Sequence, residues 1–222
     1  MIWILLLCHF IGDYPLQTDA MVLAKRQFLG LTLHVAIHFI TLLVVIVGLL
    51  RADLVSVLPG IFALTGFHFA IDTWKNILYK LRPDWTIFSY LQDQILHIVS
   101  MLLVALWMES GAVTVSTEPA NWIIPILGLI LATNAWFVTE YVLFSNSPEY
   151  QRWVTQHSWR RMIGRGLMFG AWFIGWNFWA LLTFCVGLFY HWLDLAGPFR
   201  FRALLIDISV VVSIVLGLFV AN

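Results

Sequence analysis

The chain has 222 residues, 61% of them hydrophobic and 11% charged, with twelve basic side chains, twelve acidic ones and seven histidines. Soluble domains carry roughly 25% charged residues, so this composition excludes an ordinary soluble domain and points to an all-α polytopic membrane protein. A formal net charge of zero, with no basic run and no aromatic–basic interleaving, excludes a nucleic-acid binder. Both cysteines, Cys8 and Cys185, sit inside apolar segments, which argues against a disulfide framework or a cysteine zinc site. Met1 to Phe10 lacks the basic n-region and small-residue cleavage site of a signal peptide and reads as a retained first helix.

A helix needs about 20 apolar residues to span a bilayer, and on that ruler about seven segments are expected. The first, Met1 to Gly12, is short, with Gly12 and Pro15 expected to break or bend it. Leu16 to Arg26 reads as an amphipathic interfacial stretch. The second segment runs near Phe28 to Leu50 and the third near Leu54 to Tyr79, with Pro59-Gly60 in its first turns. Arg82-Pro83-Asp84 signals a loop before the fourth, Tyr90 to Met108. A polar loop, Glu109 to Asn121, leads to the fifth, Trp122 to Phe144. Ser145 to Arg161 is the longest polar connection, and the sixth and seventh segments run near Met162 to Tyr190 and Ala203 to Val220. Gly166 and Gly170 form a GxxxG, a motif for close helix packing. Trp172, Trp176 and Trp179 share one face of the sixth segment, a packing or lipid face.

Lysine and arginine set the orientation. With the N-terminus outside, the inner loops hold nine: Lys25, Arg26, Lys75, Lys80, Arg82, Arg152, Arg160, Arg161 and Arg165. The outer loops hold three, Arg51, Arg200 and Arg202. An outside N-terminus and a cytoplasmic C-terminus are therefore expected. Residues 1–109 are expected to form a four-helix membrane module and residues 110–222 a three-helix, aromatic-rich module, together one continuous membrane domain.

The chemistry-bearing residues lie in the first four segments as pairs spaced by four: His9 and Asp13, His34 and His38, His68 and Asp72, Asp93 and His97. That spacing puts both members of a pair on one helix face. Because successive segments run in opposite directions, all four pairs fall at one membrane level, near the expected cytoplasmic side. Imidazole suits zinc, iron, copper and nickel, and a His/Asp mixture matches a catalytic divalent site; helical bundles build such sites from inward-facing side chains. Five histidines and three aspartates exceed one tetrahedral ion. One or two ions, zinc foremost, are expected, with Asp13, Asp72 or Asp93 serving as ligand or general base.

Two other readings use the same residues. Polar glue between helices returns only ~0.6 kcal/mol per hydrogen bond, against about 2.5–3.5 kcal/mol for a carboxylate at a helix centre. A metal-ion or proton transporter is the alternative, since buried Asp and His chains also form ion paths. Gln17, Asp19 and Asn134 are candidates for contacting a substrate head group or lining the cavity, with Glu140 near Asn134. Gln94 and Thr73 flank ligand candidates, and His157 falls in the long inner connection, where it is expected to be exposed.

The stretches HFIGDYPLQTD, LHVAIH, HFAID and DQILH, within about the first 100 residues, resemble a bacterial membrane family, the domain of unknown function numbered 3307. More loosely, the HxxxD helices look like those of the YdjM-type inner-membrane metal-dependent hydrolases. The looser resemblance implies a bacterial inner-membrane location and hydrolase chemistry. With a site at interface depth, the favoured function is metal-dependent hydrolysis of a membrane lipid or amphiphile.

Overall fold

A computed structural model describes residues 1–111, 122–173, 182–189 and 199–220. The described residues are helical throughout, without a strand. This is what a hydrocarbon environment demands, because a helix satisfies its backbone polar groups within one segment. Four helices are long and apolar enough to cross a membrane: Phe28–Leu49, Leu54–Leu81, Pro83–Ser110 and Ile123–Leu143. The chain divides into two compact units, Met1–Ile123 and Ile124–Asn222.

The first unit is built from α1 (Ile2–Asp13), α2 (Asp19–Ala24), α3 (Phe28–Leu42), α4 (Leu54–Leu81) and α5 (Thr86–Ser110). A π-helical stretch, Leu43–Leu49, carries α3 onward, and a 3-10 turn, Pro83–Trp85, precedes α5. Helix α1 packs on α3 and α5, α3 on α4, and α4 on α5, so the four long elements close a ring. Each turns one stripe inward: Leu31, His34, Val35, His38 and Leu42 on α3; Val57, Ile61, Leu64, His68 and Asp72 on α4; Asp93, His97, Met101, Val104 and Met108 on α5. The spacing alternates between three and four, the helical repeat of a core face. The stripes are divided along their length. Leu5, Leu42, Ile46, Val57, Ile61, Met101 and Val104 form an apolar core, whereas the paired His and Asp residues collect beyond it.

Helix ends follow local chemistry. Asp53 caps α4, accepting from the Ser56 N–H at 2.8 Å, and Thr18 caps α2 by accepting from Met21. The expected amphipathic stretch contains only the six-residue α2, none of whose residues is buried. Gly12 does not break α1, which runs on to Asp13. Its role is space: a Cβ there would lie 2.5–2.8 Å from three atoms of the His38 ring.

The second unit contains α6 (Ile123–Ile130), a π turn (Leu131–Ala135), α7 (Trp136–Leu143), α8 (Pro148–Phe173), α9 (182–189) and α10 (Arg200–Val220). Most of the expected polar connection Ser145 to Arg161 is thus helix, and α8 begins fourteen residues before the expected Met162. Glu149, Arg152, Thr155, Gln156 and Arg160 are exposed along it, while Tyr150, Arg161 and Arg165 are buried. Arg161 donates to both carboxylate oxygens of Asp207 at 2.6 and 2.8 Å and to Glu140 at 3.0 Å. Arg165 donates to Asp207 at 2.8 Å and to the carbonyls of Ala132 and Thr133 in the π turn. Tyr150 donates to Glu140 at 2.5 Å, and burial together with the acceptor carboxylate pushes its hydroxyl pKa up. Among the described residues the GxxxG pair makes no close approach: a Cβ at Gly166 would meet ordinary packing and one at Gly170 no described atom within 4 Å. Gly187 is a closer approach, where an added Cβ would lie 3.0 Å from the Gly164 carbonyl. Trp176, Trp179 and the loop at 112–121 lie outside the described residues.

Candidate functional site

The four pairs converge. Asp13 leaves the last turn of α1 with its Oδ1 3.0 Å from His38 Nε2, 3.1 Å from His34 Nε2 and 3.7 Å from His68 Nε2. His34 Nε2 and His68 Nε2 are 3.1 Å apart. Asp13 Oδ2 stands 3.4 Å from His9 Nε2. His34 is completely buried and the others nearly so. Donors held about 2.0–2.2 Å from a common tetrahedral ion stand roughly 3.3–3.6 Å from one another. The Asp13, His34, His38 and His68 donors stand 3.0–3.7 Å apart in the contacts above, close to that spacing, and all lie within 4.8 Å of one another, a group that could hold an ion.

The remaining pairs adjoin this group. His97 Nε2 lies 3.5 Å from Asp93 Oδ1 and 3.9 Å from Asp72 Oδ1, and the His97 and His68 rings stack at 4.2 Å. A cavity of about 20 Å³ is bordered by His9, His38, His68 and His97 on the polar side and by Leu5, Leu42, Leu64 and Met101 on the apolar side. That volume holds one water-sized molecule.

Two residues counted as loop charges belong to the site. Lys25 ends the segment over α2 and sends its Nζ inward, 2.7 Å from Gln17 Oε1, 3.2 Å from Asp72 Oδ2 and 3.3 Å from His34 Nε2. Lys75, one turn beyond Asp72 on α4, is 2.7 Å from Asp93 Oδ2. The available signal was their register: Lys75 is seven residues after His68 and three after Asp72, on the same face of the helix. Tyr14 was also missed. Its hydroxyl donates to Gln94 Oε1 at 3.1 Å and lies 3.3 Å from the Tyr90 hydroxyl, and Gln94 donates to Asp93 at 3.0 Å.

The flanking candidates separate. Gln17 reaches the site through Lys25, and Gln94 through Asp93. Asp19 is exposed on the first turn of α2, where an acid offsets the helix dipole. Thr73 turns back to the Phe69 carbonyl at 2.7 Å. Asn134 lies in the π turn of the second unit, accepting from Thr133. Glu140, in the same unit, is fully buried against Arg161 and Tyr150. His157 is on α8 rather than in a loop, part-buried, with its ring stacked on Trp153.

Fold and site together define a class: an all-α protein with membrane-length helices whose first bundle encloses a buried His/Asp/Lys cluster able to hold a cation. Residues 1–124 match the family model described as protein of unknown function, DUF3307, and the chain belongs to that family. The matched stretch contains all eight paired residues and both lysines. No curated protein and no solved structure matches the chain.

Proposed function

We propose that the first bundle binds a divalent transition metal, zinc foremost, through Asp13, His34, His38 and His68, and that the protein is a metal-dependent hydrolase of a membrane lipid or other amphiphile. One observation carries the metal. The three buried carboxylates meet two ammonium groups, Lys25 against Asp72 and Lys75 against Asp93, so Asp13 alone has no lysine. It is ringed by four imidazole nitrogens at 3.0–3.7 Å instead. A buried carboxylate without a compensating cation is strongly disfavoured.

Bound there, a divalent ion supplies Lewis acidity and lowers the pKa of water towards ~7. The chain's own residues supply the rest. Asp13, His34 and His38 would hold the ion side by side, Asp72 or Asp93 is available as a proton acceptor, and the cavity bordered by His38 and His97 takes a water-sized nucleophile. The exposed apolar side chains of Leu16, Val22 and Leu23 beside Lys25 suit an interfacial approach by a substrate with a wet head group and a lipid tail. Seven spans, with the N-terminus outside and the bacterial inner membrane as location, complete this reading. The matching experiment is elemental analysis of the purified protein. A bound transition metal that is lost in His38→Asn and His68→Asn is expected; protein that folds and carries none overturns the proposal.

A transporter is the second reading, favoured by the connected hydrogen-bonding chain Tyr90, Tyr14, Gln94, Asp93 and Lys75. Metal or proton flux into sealed proteoliposomes, absent in the Asp93→Asn variant, would select it over hydrolysis.

A further inference from the structure

Assigning Asp13, His34, His38 and His68 to one ion leaves four of the eight paired residues outside its ligand set. The leftover donors come from three helices: His9 on α1, Asp72 on α4, and Asp93 and His97 on α5. All are at least nine-tenths buried. Among the described residues His9 Nε2, His97 Nε2, Asp93 Oδ1 and Asp72 Oδ2 make no hydrogen bond. Each has an ionisable neighbour at 3.2–3.5 Å (Asp13 for His9, Asp93 and His97 for each other, Lys25 for Asp72) without hydrogen-bond geometry, and so many unbonded polar atoms in one buried place are unusual. The lysines do not remove the anomaly. Lys75 and Gln94 both donate to Asp93 Oδ2, which leaves Oδ1 unbonded 3.5 Å from His97 Nε2. Lys25 sits 3.2 Å from Asp72 Oδ2 as an ion pair, while Asp72 Oδ1 lies 3.9 Å from His97.

We propose that Asp72, Asp93 and His97, with His9 alongside, form a second divalent-cation site adjoining the first across His68. It rests on the first site being a metal site. The two differ in donor chemistry. The first offers three imidazoles and one carboxylate, a nitrogen-rich set that favours zinc. The second offers two carboxylates and one imidazole within 4.8 Å of one another, with His9 grouped beside His68 and His97, a set that also accepts Mn²⁺ or Fe²⁺. Contact between them is direct: the His68 ring is 4.2 Å from that of His97 and 5.5 Å from that of His9. Two ions held by these residues would supply two neighbouring Lewis acids of the kind used in displacement reactions.

The test uses Mn²⁺ alone as probe. The purified full-length protein is stripped with chelator, loaded with Mn²⁺ and desalted, then assayed for ions per chain and by electron paramagnetic resonance. Two ions per chain with an exchange-coupled spectrum are expected, and His97→Gln and His38→Gln should each leave one ion with an isolated six-line spectrum. One ion in the wild type, lost in His38→Gln and kept in His97→Gln, overturns the second site and leaves the first standing. One ion lost in both variants means a single shared centre and overturns it too, as do two ions without exchange coupling. A chain that binds no Mn²⁺, Zn²⁺ or Fe²⁺ removes the first site as well. The wild-type stoichiometry and spectrum decide the matter even if a variant fails to fold.

Discussion

Asp13 and Lys75 show how differently two buried charges can be held. Asp13 faces only imidazoles, so Asp13→Asn separates metal ligation from structural glue. As a ligand, its loss should cut metal content at least tenfold by elemental analysis. As glue, removing a buried charge should be neutral or stabilising and leave metal and melting temperature as they were. Lys75 is the partner of an almost wholly buried carboxylate. Lys75→Met strands Asp93 and should destabilise the protein by about 3–5 kcal/mol, whereas the double variant with Asp93→Asn should recover much of that loss. Thermal melts of both variants in detergent check the pair. The Arg161–Asp207 contact in the second unit follows the same logic with better geometry, two parallel N–H donors meeting two oxygens.

At the scale of elements, the bundle brings α1 against α3 by leaving out a side chain. The His38 ring rests where a Cβ of residue 12 would stand. Gly12→Ala should therefore push His38 off Asp13, costing roughly 1–3 kcal/mol of overpacking strain and lowering metal retention while His9, on the same helix, is untouched. Metal content beside a melting curve measures both effects. In the second unit, α8 turns two of its charges, Arg161 and Arg165, inward against α7, the π turn and α10. Tyr150→Phe removes the donor to Glu140 and should cost about 1–3 kcal/mol, read as a lower melting temperature with metal content unchanged.

For the whole molecule, orientation is where burial matters most. Four of the nine basic residues assigned to inner loops, Lys25, Lys75, Arg161 and Arg165, are committed to ion pairs inside the two units. Five remain against three, so the bias keeps its sign with a smaller margin. A reporter fused after Asn222 is still expected to read cytoplasmic, and an extracytoplasmic signal would invert the proposed topology. The convergence of the four pairs does not depend on that outcome.

The sequence by itself determined the helical class, four of the seven expected membrane-length segments and the meeting of the four pairs. Each of these follows from a period: about 20 apolar residues for a span, four residues for a shared face, and alternating direction for a shared level. Only the tertiary structure showed that Lys25 and Lys75 enter the cluster, that Asp13 is the carboxylate without a lysine, and that Gly12 makes room for His38. It also moved Glu140, Arg161 and Arg165 from an assumed polar rim to a buried network. A charged side chain near a helix end reads alike from sequence whether it points to water or inward. Which way it turns is decided by the partner waiting on another helix, and that partner lies far away in the chain.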